Sequence, residues 1–201
     1  MNIGCRLFAL LLFFSVYGTV NAADYRASAE AVIRTIHPDG IIEQVVIGDI
    51  DRDGLDDAAY VINWYAPPKG HELVVGVLRG RLDGAFVAWA HTKRFEMGQR
   101  PPEITIRAKS LYVSTMTFGL SWGTWEDFQY SFRAGGLVLV GRDWFYRSPR
   151  LDIDPGPIKT ETTSTNYLTC REIKSVTEGK KRTEFALKVE DCKLHTLEDF
   201  E

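Results

Sequence analysis

A short acidic segment carries the clearest chemistry in this sequence. It runs from Asp49 to Asp57 as DIDRDGLDD and places carboxylates at loop positions 1, 3, 5 and 9, with glycine at position 6. Calcium is a hard cation that takes six to eight oxygen ligands, and alternate residues of a tight loop can all turn toward such an ion. Gly54 permits the positive φ that folds the loop, and the carbonyl of Leu55 becomes a neutral ligand. The spacing therefore predicts a Ca²⁺ site within residues 49–57.

The segments on either side of the loop distinguish between known calcium motifs. An EF-hand needs a glutamate at position 12 and flanking helices, whereas position 12 here is Tyr60, inside an alternating strand pattern. The pattern Asp-x-Asp-x-Asp-Gly-x-x-Asp leading into a strand resembles the calcium loop of FG-GAP and VCBS-type repeats, found in integrin-like β-propellers. This resemblance implies metal ligands at Asp49, Asp51, Asp53, Leu55 and Asp57.

The resemblance to the FG-GAP and VCBS-type family is confined to the loop and the start of the next strand. The later stretches 137–143 and 164–169 resemble bacterial exported proteins that carry one such loop. A single loop in a chain of 201 residues does not build a full propeller, so we expect a partial propeller or a sandwich. An acidic turn with solvated charges is the alternative to a metal site. It leaves the repulsion between the carboxylates uncompensated.

The first 22 residues have the layout of a secretory signal peptide. Arg6 precedes an apolar run from Leu7 to Val16, and Val20-Asn21-Ala22 supplies the small residues of a cleavage site. The apolar run is shorter than the roughly 20 residues that span a bilayer, so we predict no transmembrane segment. We expect residues 1–22 to be removed and residues 23–201 to form one periplasmic or secreted domain.

Two cysteines remain after removal of the signal peptide, which carries Cys5. In an oxidising compartment Cys170 and Cys192 are expected to form a disulfide.

Hydrophobic periodicity predicts a mainly β domain. Apolar residues recur at helical spacing from Tyr25 to Ile36, which indicates one N-terminal helix ending at His37-Pro38-Asp39-Gly40. From residue 43 onward, short runs of β-branched and aromatic residues alternate with turn formers such as Leu82-Asp83-Gly84. The sequence therefore predicts an antiparallel β-meander behind one helix.

A second candidate site lies at Trp122 and Trp125, in a turn-like stretch that also contains Glu126 and Asp127. Exposed aromatic rings stack on sugars and carboxylates bind their hydroxyls, so the stretch is a possible ligand-binding site. The competing interpretation is that both tryptophans cap the core.

Catalytic motifs are absent from the sequence. The four histidines are scattered, there is no nucleophile elbow, and no glycine-rich phosphate loop precedes a helix. Without Arg6 the chain has 23 basic and 27 acidic residues, which disfavours nucleic acid as a partner. We expect a non-enzymatic, calcium-binding protein that acts through a protein or envelope-ligand surface. An immunity or inhibitor protein is one form of this function. A carbohydrate-binding module is the alternative, followed by a hydrolase.

Overall fold

A computed structural model of the chain describes residues 22–66, 70–97, 100–119, 122–148, 158–190 and 192–200. Residues 1–21 of the expected signal peptide lie outside the described residues. The helix α1 spans Ala22–Ile36. Among the described residues, no helix has the length and apolar character needed to cross a bilayer.

The strands form two antiparallel sheets. The five-stranded sheet has the order β1-β2-β3-β4, and β5 also pairs with β3. Its strands are β1 (Ile41–Gly48), β2 (Asp57–Ala66), β3 (Gly70–Gly80), β4 (Phe86–His91) and β5 (Phe95–Met97). The seven-stranded sheet is a meander from β6 to β12. Its strands are β6 (Glu103–Arg107), β7 (Ser110–Phe118), β8 (Gly123–Arg133), β9 (Gly136–Ser148), β10 (Lys159–Asn166), β11 (Arg171–Glu178) and β12 (Lys181–Lys188).

Strand β2 lies in the middle layer and is buried on both faces. Ala59 and Val61 pack with residues of the seven-stranded sheet, including Leu111, in the main core. Tyr60 and other residues on the opposite face pack against Ile33 of α1 in a second core. The layers are therefore helix, five-stranded sheet and seven-stranded sheet, which explains why β2 reads as a nearly continuous apolar run.

The predicted mainly β fold with one N-terminal helix is confirmed, and its two packed sheets correspond to the sandwich alternative. One local expectation is wrong, because the stretch around Trp125, expected to be turn-like, belongs to β8, which begins at Gly123. The short strand β5 is an additional element that the sequence pattern does not predict. Residues of β8 pair with β9 from Gly123 onward, and this long hairpin ladder outweighs the local polarity of Glu126 and Asp127.

The predicted disulfide is present between Cys170 and Cys192, whose Cα atoms are 5.4 Å apart. It joins the turn after β10 to the segment after β12, so it closes the outer end of the seven-stranded sheet. Stable disulfides are typical of compartments outside the reducing cytosol.

One side chain makes a reciprocal link between the two sheets. Gln44 of β1 donates from Nε2 to the carbonyl of Ile104 at 2.8 Å, and its Oε1 accepts from the Ile104 N–H at 2.9 Å. Ile104 is fully buried in β6, the edge strand of the seven-stranded sheet. The amide of Gln44 therefore satisfies backbone groups that an edge strand would otherwise bury without partners.

We predict that Gln44→Ala lowers the free energy of unfolding by about 1–3 kcal/mol, because it leaves the buried N–H and C=O of Ile104 unpaired. Chemical denaturation monitored by circular dichroism measures this change. Glu103→Ala, at an exposed position next to Ile104, is the matched control and should change stability little. Equal stability of the two variants would contradict the prediction.

Candidate metal centre

The acidic loop connects β1 to β2, and the hairpin register brings its two ends together. Gly48 pairs with Asp57, the first residue of β2, and Asp49 lies one residue beyond this last pair of the hairpin. One carboxylate oxygen from each of Asp49, Asp51 and Asp57 lies within 4.8 Å of the other two. This cluster of three carboxylates can hold a metal ion.

Asp57 is the most buried member of the cluster, with no exposed surface. Its Oδ2 accepts the N–H of Ile50 at 2.9 Å, and its Oδ1 accepts the N–H of Gly80 at 3.0 Å. Burial raises the pKa of Asp57, and the nearby Asp51 carboxylate adds to this effect, while the backbone donors act in the opposite direction. Asp57 therefore fixes both the loop and the end of β3.

Two basic side chains from distant parts of the chain contact the other two carboxylates. Lys109 Nζ lies 2.9 Å from Asp49 Oδ2, and a guanidinium nitrogen of Arg79 lies 2.6 Å from Asp51 Oδ2. Although burial works in the opposite direction, the Lys109 ammonium and the Arg52 N–H hold the pKa of Asp49 below its usual range. Asp49, the most exposed of the three carboxylates, is therefore ionised at neutral pH.

The Asp51 carboxylate is almost completely buried. Its Oδ1 accepts the N–H of Asp53 at 3.1 Å. Its Oδ2 is buried and forms an ion pair with Arg79 at 2.6 Å, although the guanidinium is not aligned for a hydrogen bond. This ion pair offsets part of the cost of burying the Asp51 charge, and a metal ion bound by the same carboxylate would offset more of it.

The charged side chains around the loop carry an excess of negative charge that a divalent cation can balance. A fourth carboxylate, that of Asp53, lies near this cluster and contacts Arg79 at 3.4 Å. Among the described ion pairs, the basic partners of these four carboxylates are Arg79 and Lys109. Four negative and two positive charges leave a net charge of −2. The donor set consists of oxygen atoms, which suits a hard cation.

The remaining two ligands implied by the family resemblance lie outside the three-carboxylate cluster. Asp53 is partly exposed, and its Oδ1 accepts the N–H of Leu55 at 2.9 Å, which closes a side-chain turn. Gly54 has the positive φ that its position predicts, at 87°, and Arg52 also has a positive φ, at 71°. In this structure Asp53 therefore stabilises the turn of the loop by accepting the Leu55 N–H.

The sequence gives no local signal for three residues that complete the site. Arg79 and Gly80 end β3, and Lys109 lies in the turn between β6 and β7, sixty residues from Asp49. A Cβ atom at position 80 would overlap the carbonyl oxygen of Asp56. Only the sheet pairing brings these residues to the loop.

The tryptophans of the second candidate site have separate surroundings. Trp122 is 40% exposed, and its indole lies over Gly119. Trp125 is half-buried between Phe118 and Phe145, with ring centroids 5.7 and 5.1 Å away. Trp125 therefore packs within an aromatic cluster, whereas Trp122 presents part of its ring to solvent.

The chain matches no protein-family model, no curated protein and no solved structure. Its function is therefore inferred from the geometry and chemistry of its own residues.

We predict that Gly80→Ala destabilises the protein and disturbs the loop, because the new methyl group overlaps the Asp56 carbonyl and forces Gly80 N–H away from Asp57. A fall of about 1–3 kcal/mol in the free energy of unfolding is expected. The matched control is Gly136→Ala, where no heavy atom lies within 4 Å of the added carbon. Denaturant unfolding of both variants tests this, and a Gly80→Ala protein as stable as the control would refute it.

Proposed function

We propose that the loop between β1 and β2 binds calcium and that the protein is an exported, non-enzymatic binding protein stabilised by this ion. The observation that carries the proposal is the convergence of the Asp49, Asp51 and Asp57 carboxylates, whose ligand oxygens lie within 4.8 Å of one another and of which Asp51 and Asp57 are buried. The net charge of −2 around these groups supports a divalent ion.

Calcium fits this donor set better than other common metals. The cluster contains no thiolate or imidazole, which disfavours zinc and copper. Calcium accepts irregular arrangements of oxygen ligands at 2.3–2.6 Å, whereas magnesium requires a nearly ideal octahedron. The similarity of the loop sequence to FG-GAP and VCBS-type repeats supports the same choice, with Asp53 and the Leu55 carbonyl as the further ligands.

The disulfide and the secretory-type N-terminus support a periplasmic or secreted location, where calcium is available to such a loop. The ion is proposed to fix the β1–β2 hairpin and thereby the surface of the domain. The target of that surface is proposed to be a protein or an envelope component, as in an immunity or inhibitor protein.

Thermal unfolding with calcium and with excess chelator tests the metal site. Calcium at a hundred times its Kd should raise the Tm by about 5–10 °C, because a ligand that binds only the native state stabilises it by mass action. Asp49→Asn and Asp51→Asn should abolish this rise, since each removes a charged ligand.

Two further variants make the same experiment sharper. Asp83→Asn is the matched control, because Asp83 also accepts a backbone N–H in a turn but lies outside the cluster, so its calcium response should equal that of the parent. Asp53→Asn should weaken the response if Asp53 turns inward as the family resemblance implies. A parent protein whose Tm does not respond to calcium would end the proposal.

Removing the lysine that competes with the ion should increase calcium affinity. Lys109 contacts Asp49 Oδ2 at 2.9 Å, so its ammonium group competes with an ion for the Asp49 carboxylate. We predict that Lys109→Met lowers the calcium Kd several-fold, because a nearby positive charge is lost. Isothermal titration calorimetry measures the change. Lys188→Met, on the distant strand β12, should leave the Kd unchanged, and an unchanged Kd in Lys109→Met would show that the ion binds elsewhere.

A further inference from the structure

A second region with the character of a binding site lies on the seven-stranded sheet. Leu137 and Leu139 of β9 are buried in the main core. Farther along the same strand, Arg142, Trp144 and Tyr146 alternate on one face, opposite Thr165, Thr163 and Glu161 of β10. Along β9, the side chains therefore change from apolar residues buried in the core to polar and aromatic residues.

Strand β10 has no apolar side chain, although it lies between β9 and β11. Its sequence is KTETTSTN from Lys159 to Asn166. Internal strands of a packed sheet normally contribute apolar residues to a core on at least one face. Both faces of β10 therefore present polar side chains, which can contact water or a polar ligand.

The aromatic side chains on this face are arranged as a pair. The rings of Trp144 and Tyr146 are nearly parallel, with an interplanar angle of 5° and centroids 6.0 Å apart. Both are half-buried, so each ring keeps an accessible part. A cavity of about 170 Å³ lies beside them, lined by Arg142, Trp144, Thr163, Thr165 and Glu172.

The charged groups around the cavity compensate one another. Arg142 contacts Glu126 at 2.8 Å, and Glu161 contacts Lys159 at 2.7 Å and Lys174 at 3.5 Å. Glu172 accepts a hydrogen bond from Thr165 at 3.1 Å. Three basic and three acidic side chains give no net charge, which favours a neutral polar ligand over an anion or a cation.

We propose that this face binds a neutral carbohydrate, with one pyranose ring in the cavity against Trp144. The C–H face of a sugar ring is apolar and packs on an aromatic ring, while its hydroxyls both donate and accept hydrogen bonds. Paired carboxylate, guanidinium and threonine groups serve hydroxyls in both roles. The site is separate from the calcium loop and does not depend on the ion.

The test is isothermal titration calorimetry of the disulfide-intact protein with chitotetraose, cellotetraose, maltotetraose and a heparin tetrasaccharide, in chelator. At least one neutral tetrasaccharide should bind saturably. Trp144→Ala should weaken binding at least tenfold. Thr163→Lys should do the same, because a long side chain on this polar strand fills the cavity without removing a core residue.

Trp122→Ala is the matched control, since it removes a partly exposed tryptophan elsewhere and should leave the Kd unchanged. Circular dichroism checks that each variant folds. If Trp144→Ala does not fold, the sugar affinity of Thr163→Lys tests the proposal. The proposal is overturned if no neutral probe binds, if only the heparin fragment binds, or if binding depends on Trp122 and survives both cavity variants.

Discussion

The buried carboxylate of Asp57 is the constraint on which the candidate metal centre depends. It stands at the start of β2 and accepts backbone N–H groups from Ile50 in the loop and Gly80 at the end of β3. A carboxylate without solvent contact costs several kcal/mol unless hydrogen bonds and counter-charges compensate it. The close approach of Gly80 and the fixed start of the loop follow from this requirement. Asp49 and Asp51 add further negative charge beside Asp57, and the basic side chains of Lys109 and Arg79 pair with them.

The seven-stranded sheet obtains its stability in two different ways. Its first strands cover the five-stranded sheet with buried residues such as Leu111 and Tyr130, and the Gln44 amide joins its edge to β1. The outer strands β10 to β12 contribute no residue to that buried cluster. There the Cys170–Cys192 bridge constrains the unfolded chain, which stabilises the fold by roughly 3 kcal/mol. In the outer strands the disulfide therefore supplies a constraint that a buried core supplies elsewhere, and β10 consists of polar residues.

Local chemistry explains what the sequence could predict. Helical periodicity before Pro38 gave the helix, alternating strands gave the meander, and the spacing of the loop carboxylates gave the three members of the cluster. Non-local pairing explains the rest. Trp125 lies in β8 because β9 pairs with it, and Lys109 reaches Asp49 because a hairpin turn of the other sheet folds over the loop. Neither contact leaves a periodic or spacing signal in the sequence.

The contact between Lys109 and Asp49 bears on the energetics of the proposed ion binding. Lys109 belongs to the turn between β6 and β7 and Asp49 follows β1, so this ion pair joins the two sheets. In the proposed calcium site, the ion would compete with this ammonium group for the Asp49 carboxylate, and that competition would reduce the net binding free energy. Lys109 is half-exposed, so its attraction for Asp49 is screened by water. The proposed site would therefore bind calcium more weakly than a site without basic residues, as the extracellular calcium-binding modules do.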